Sequence, residues 1–222
     1  IIKSSLNANM RGISLVSNNI ANSNTTAFKK SYSNFSDIYS KNIGDNPKGF
    51  SGMGVINDSP RKQMFQGPLK QTNGALDLAI SGLGFLTLAS ANNTENRFYT
   101  RDGSLGLSSN GEVINQQGLN LLAHPVIGNA TFNPAIFEKV IIEPNITDSL
   151  GNTRILTNVN VSSSGVLKAV YGLDEEVVIA KIPLTSFESM EELRSEGNNL
   201  FTPTTKSGEP NVGIALQENM GE

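Results

Sequence analysis

The 222 residues include no cysteine and no tryptophan, and histidine occurs once. Without cysteine there can be no disulfide, no thiolate nucleophile and no cysteine-ligated zinc site, although this absence does not fix the compartment. Charge is scarce too: 17% of residues are ionic, 17 basic against 20 acidic, for a net charge of -3 and a pI near 5.3. The lysines and arginines are scattered, so the basic patch that would neutralise phosphates is missing and nucleic acid is not an expected partner. No apolar run approaches the roughly 20 residues that cross a bilayer. The N-terminus lacks the basic-then-apolar layout of a cleavable signal, so neither membrane insertion nor the general secretory route is expected. What is present is length enough for one large or two modest cores. Asparagine, serine, threonine and glycine are abundant, which suits turn-rich β structure.

Ile2, Leu6, Met10, Ile13, Val16 and Ile20 recur every three or four residues, which places them on one stripe of a helix from about Ile2 to about Ala21. Lys3, Ser5, Asn7, Arg11 and Ser14 lie opposite, so the helix has a wet side or a second partner. Asn22, Ser23 and Asn24 compete for backbone hydrogen bonds and stop it. Phe28, Tyr32, Phe35, Ile38 and Tyr39 continue at helical or mixed spacing and predict an irregular or partly helical extension. Gly44, Pro47, Gly49, Gly52 and Gly54 then predict a loop or linker, with a domain boundary nearby.

Beyond it the period changes. Leu76–Ile80 and Phe85–Leu88 are short apolar runs separated by Ser81-Gly82-Leu83-Gly84, and predict strands joined by a tight connection. Asp102-Gly103 and Asn110-Gly111 favour positive φ and predict hairpin turns, followed by Gln117-Gly118 in a β-meander. Val140–Ile142, Asn158–Val161, Val166–Val170 and Glu176–Ala180 continue in kind, with Ser163-Ser164-Gly165 as a further turn. Thr185 and Glu188 have the spacing of a capping box for a brief helix through Leu193, ended by Gly197. No fixed-period repeat is evident.

Little here suggests chemistry. His124 is followed by Pro125 with no nearby carboxylate or nucleophile, and is read as a surface or loop histidine. Asp174, Glu175 and Glu176, and Glu188, Glu191 and Glu192, could in principle supply the paired acids of a glycosidase, but read better as turn and helix-face residues. Gly82-Leu83-Gly84 lacks the third glycine and the lysine of a phosphate loop. No calcium-loop spacing occurs. Catalytic, cofactor and metal sites are therefore all expected to be absent.

The segment Asn18-Asn19-Ile20-Ala21-Asn22 followed by Thr26-Ala27-Phe28-Lys29 resembles the signature near the start of the bacterial flagellar rod and hook proteins, with Ala27 where glycine is usual. Leu76-Asp77-Leu78-Ala79-Ile80-Ser81-Gly82-Leu83-Gly84-Phe85-Leu86 is similar to a second family block, and Tyr99-Thr100-Arg101-Asp102-Gly103 to a third. Leu184–Phe187, Gly197–Phe201 and Ser207–Pro210 resemble later ones. The family-motif residues are thus Thr26, Phe28, Lys29, Leu76, Asp77, Ala79, Ile80, Gly82, Gly84, Phe85, Tyr99, Arg101 and Gly103.

The resemblance implies a mainly β fold with an N-terminal α-helix: a helical assembly segment with its extension (1–41), a loop-rich linker (42–74) and a β-rich outer domain (75–222). A C-terminal helix that pairs with the first in the family is expected to have been trimmed. The implied role is that of a structural subunit of the basal-body rod, self-associating into a helical tube with other rod and hook subunits. Such a subunit transmits torque, leaves the cell by the flagellar type III route and lies between periplasm and exterior. Leu6, Met10, Ile13, Val16 and Ile20 are the expected subunit interface, and Asn18, Asn19 and Asn22 the anchors of the helix end. The chain has no room for the further β domain of hook proteins, yet Phe35-Ser36-Asp37-Ile38-Tyr39 resembles their Phe-Ala-Asp-x-Tyr, so a hook-like member is the alternative. Rivals from other classes are a secreted β-rich adhesin or ligand-binding module, and a carbohydrate-active enzyme.

Overall fold

The computed structural model describes residues 2–41, 50–127, 131–147, 151–172 and 175–214. The chain divides into two compact units, Ile1–Phe65 and Gln66–Glu222.

In the first unit, helix α1 (Ile2–Ala21) has the bounds that the apolar period predicts. After it come β1 (Ser31–Tyr32), β2 (Phe35–Lys41), β3 (Phe50–Asn57) and β4 (Arg61–Lys62). β2 and β3 form an antiparallel hairpin from Phe35↔Asn57 to Lys41↔Phe50, and β1 pairs with β4. This corrects two expectations. The segment after Phe28 is extended rather than partly helical, because Ser36, Asp37 and Ile38 find partners in Ile56, Val55 and Gly54; such pairing overrides a mixed local period. The glycine-rich stretch holds a strand from Phe50 onward, its Gly52 and Gly54 flanking a register shift opposite Ile38 and Tyr39, where small residues let a strand bulge. Residues 42–49 of the expected linker lie outside the described residues, and the division between units falls after Phe65.

The second unit is almost all strand. Its elements are β5 (Asp77–Leu78), β6 (Leu86–Ser90), β7 (Asn93–Thr100), β8 (Gly103–Leu107), β9 (Val113–Asn115), β10 (Asn120–Ile127), β11 (Thr131–Phe132), β12 (Glu138–Lys139), β13 (Asn145–Thr147), β14 (Thr153–Val161), β15 (Val166–Tyr171), β16 (Glu175–Lys181) and β17 (Pro183–Ser186). A 3-10 turn (Met190–Glu192), β18 (Arg194–Gly197), β19 (Leu200–Thr202) and β20 (Asn211–Ile214) complete it. The main sheet runs β13-β14-β15-β16-β10-β6-β7-β19-β18, with β5, β8, β9, β11 and β12 off that path, while β17 pairs with β20. Alternation in β15 buries Leu167, Ala169 and Tyr171, which join Leu86, Leu88, Leu121, Val113 and Ile142 in one apolar core. A second cluster is aromatic: Phe85 lies edge-on to Phe187 (6.0 Å) and Phe201 (5.8 Å), and Tyr99 to Phe187 (4.9 Å).

Three hairpin turns share one design. In each, a glycine N–H bonds the carbonyl three residues back: Gly111 to Ser108, Gly118 to Asn115 and Gly165 to Ser162. The three glycines have φ of 77°, 77° and 76°, where a side chain would be strained.

Other expectations in this unit are corrected. Asp102-Gly103 is not a hairpin turn; Gly103 opens β8 opposite Leu78, and a Cβ there would overlap the Leu78 carbonyl. β5 and β6 do not pair with each other but with β8, and with β7 and β10. Val140–Ile142 is no regular strand; its backbone is taken up singly by Val113, Leu121 and Gly111, leaving one bridge at Ile141. Thr185 lies in β17 rather than capping a helix, its hydroxyl 2.9 Å from that of Thr87, and the 3-10 turn starts after Ser189 with no side-chain cap. His124 is not at the surface. β10 is covered on both faces, so His124 is 1% exposed, with Nδ1 2.8 Å from the Ile136 carbonyl oxygen.

Candidate assembly surface

Helix α1 has two unlike faces. Ala8 is buried, Gly12 admits the Phe35 ring, whose Cζ lies 3.3 Å from where a Cβ would be, and Asn57 Nδ2 donates to the Ala8 carbonyl at 3.1 Å. Leu15 and Asn19 continue this half-buried side. Small and polar side chains thus let the helix lie close to its hairpin. Apart from Leu15, the large side chains point away: Val16 is 57% exposed, Leu6 58%, Met10 60%, Ile13 67%, Ile20 68% and Ile2 84%. A soluble helix normally turns its apolar stripe inward; here the stripe is the outside, and scattered single apolar residues would not give this continuity. Covering each residue would contribute roughly 1–2 kcal/mol before the costs of association.

The helix end is fixed by side-chain amides. Asn19 Nδ2 donates to the Ser31 carbonyl (2.8 Å) and its Oδ1 accepts from the Ser31 N–H (2.9 Å), so one side chain makes both bonds that a neighbouring strand would make. Asn22 Nδ2 donates to the Asn18 carbonyl (3.0 Å) and Ser23 Oγ to that of Ile20 (2.8 Å), each a second bond to a carbonyl that already accepts the backbone N–H of the same residue. Asn18 contributes that carbonyl and has an exposed side chain. Ala27 follows with φ of 58°, so the left-handed geometry usual for glycine is kept without one. Thr26 is exposed. The Phe28 ring lies 5.7 Å from Lys62 Nζ, whose pKa burial lowers, and buried Lys29 donates to the Phe65 carbonyl at 2.8 Å.

Two motif residues of the second unit, Gly82 and Phe85, meet the buried Arg101. Arg101 Nη2 donates to the Gly82 carbonyl (2.8 Å) and Nη1 to Gln66 Oε1 (3.3 Å), and its guanidinium lies 5.3 Å from the centre of the Phe85 ring. Burial lowers its pKa, yet a guanidinium stays charged. Gly84 packs against Leu184 and Ile80 enters the core, while Leu76 is half-buried against it. Asp77 and Ala79 are exposed. Tyr99, Phe85 and Gly103 belong to the aromatic cluster and the β5–β8 contact already described. This arrangement organises a fold. Gln66 was not recognised in the sequence, because it sits in the stretch read as linker and only the position of Arg101 gives it a task.

Among the described residues no group of histidines and acids could hold a metal ion, and no helix is long and apolar enough to cross a membrane. Glu176 pairs with Lys168 (2.9 Å) on the neighbouring strand β15, and Glu175 with Arg154 (3.0 Å) on β14, one strand further on. Asp174 lies outside the described residues.

The profile of the flagellar hook protein FlgE/F/G D1 domain matches residues 79–169. The chain is 31% identical to the flagellar basal-body rod protein FlgG of Buchnera aphidicola subsp. Acyrthosiphon pisum, covering 95% of this chain and 75% of that protein. It is 28% identical to FlgG of Borreliella burgdorferi over 98% of this chain and 77% of that protein. The flagellar hook protein FlgE of Caulobacter vibrioides is 38% identical, over 60% of this chain and 23% of that protein.

Proposed function

We propose, since the chain belongs to the flagellar rod and hook protein family, that α1 is the element through which it builds into a tube. The chain is a structural subunit of the flagellar basal-body rod, and its family assembles with other rod and hook subunits. The coverage favours rod over hook: three quarters of a rod protein is matched against 23% of a hook protein. One observation carries the assembly role, the outward stripe of Leu6, Met10, Ile13, Val16 and Ile20. Copies related by a helical operation bury this stripe in the tube wall, where burial among neighbours replaces the core that an isolated helix lacks. Asn19 ties the helix end to β1, and Asn22 closes its last turn. The second unit makes the outer contacts that pass torque along the tube, catalyses nothing, and travels by the type III route.

Changing Ile13 and Val16 together to aspartate tests this. Electron microscopy of the purified protein at high concentration, and of basal bodies from cells expressing it, is expected to show loss of tubes and of incorporation. Amide exchange in β6, β10 and β15 should stay unchanged. Normal assembly by the double variant would overturn the role given to the stripe.

A further inference from the structure

The sequence contains two Asn-Gly pairs, Asn73-Gly74 and Asn110-Gly111, and the structure treats them oppositely. We propose that Asn73 is a site of spontaneous deamidation and backbone isomerisation, while Asn110 is protected by the fold. The reaction begins when the backbone nitrogen of the following residue attacks the asparagine Cγ. The side-chain nitrogen leaves as ammonia and a succinimide ring closes. Water then opens the ring at either carbonyl, giving aspartate or isoaspartate, with no oxidant or other co-reactant. Glycine in second place offers the least obstruction, and both pairs satisfy that. The further requirement is that the glycine nitrogen be free to swing toward Cγ.

At Asn110 it is not free. Gly111 N–H is held by the Ser108 carbonyl at 3.0 Å, Gly111 O accepts from Ile142 N–H at 2.7 Å, and Asn110 N–H is held by Ser108 Oγ at 3.1 Å. The peptide unit that must rotate is tied on each side. At Asn73 both residues are exposed, and among the described residues neither the Asn73 side chain nor the Gly74 N–H makes a hydrogen bond. Only the Gly74 carbonyl is engaged, accepting from Asp77 N–H at 3.2 Å. The Asp77 carboxylate sits against the Gly74 Cα, in the space a Cβ would take.

The product adds a negative charge, and in the isoaspartate form one extra backbone atom, to the stretch between Leu69 and Asp77. Both of these line an apolar groove of about 340 Å³ with Ile80, Leu86, Val161 and Leu184. The change therefore marks the age of a molecule in the stretch that connects two residues of that groove.

The test is to hold the whole purified chain at mildly alkaline pH and 37 °C and follow both peptides by mass spectrometry, with an isoaspartate-specific methyltransferase as a second readout. Asn73 is expected to convert at least about fivefold faster than Asn110, the factor that one turn hydrogen bond of ordinary strength sets. In denaturing urea the two rates should converge, and Gly74→Ala should slow the reaction at residue 73 alone. Equal rates in the folded chain, or a difference that persists in urea, would overturn the proposal.

Discussion

Replacing Ala27 by glycine should stabilise the first unit, against the usual direction of such a change. Ala27 sits at φ of 58°, a conformation that costs an L-residue roughly 1–2 kcal/mol and glycine almost nothing. Glycine gives back about 0.4–1 kcal/mol through the greater freedom of the unfolded chain. The difference, about 0.5–1 kcal/mol in favour of Ala27→Gly, corresponds to roughly a two- to fivefold shift in the opening equilibrium. The Ser31 amide, bonded to Asn19 Oδ1 just beyond the turn, reports it through slower hydrogen exchange. Ser14→Gly, on the exposed side of α1, is the control and should lose about 0.5 kcal/mol from helix propensity alone. Faster exchange at Ser31 in Ala27→Gly, matching the control in sign, would refute the reasoning that residue 27 is strained.

Four further outcomes follow from the geometry. Asn19→Ala removes both bonds to Ser31 and should cost about 1–3 kcal/mol, seen as loss of protection in β1 with β10 unaffected. Arg101→Lys cannot span Gly82 and Gln66 together and should cost the second unit about 1–2 kcal/mol in urea unfolding. Gly103→Ala drives a methyl into the Leu78 carbonyl; about 1–3 kcal/mol is expected, with detachment of β5 from β8 visible by amide exchange. Burial, with Glu143 as the second cause, raises the pKa of Tyr171 above its usual 10.0, and its hydroxyl donates to the Glu143 carbonyl at 2.8 Å. The unfolded chain thus releases this proton first, so stability is full below pH 10 and falls as pH rises through the folded pKa. Urea melts across that range should show a smaller alkaline loss for Tyr171→Phe.

What could be read from the sequence was what local chemistry decides. A 3.6-residue apolar period set the limits of α1, and Asn110-Gly111, Gln117-Gly118 and Ser163-Ser164-Gly165 marked real turns because positive φ is a property of one or two residues. Asp102-Gly103 carries the same local signal and misled, since there the glycine answers a neighbouring carbonyl rather than a turn. His124 and Thr185 were misplaced for a similar reason: their burial depends on β16, Phe137 and Thr87, which lie far away in sequence. The residues themselves showed the α1 stripe as a pattern and only the family resemblance turned it outward, because it takes the hairpin to show that the side of Ala8 and Gly12, not the stripe, meets the unit's own strands.

That inversion has a thermal consequence. Of the charged residues, α1 carries only Lys3 and Arg11, so an association made through its outer side chains relies on displaced water rather than on ion pairs. Such an association strengthens on warming and slackens on cooling, and screening by salt leaves it almost untouched. Tubes held together in this way would loosen first in the cold.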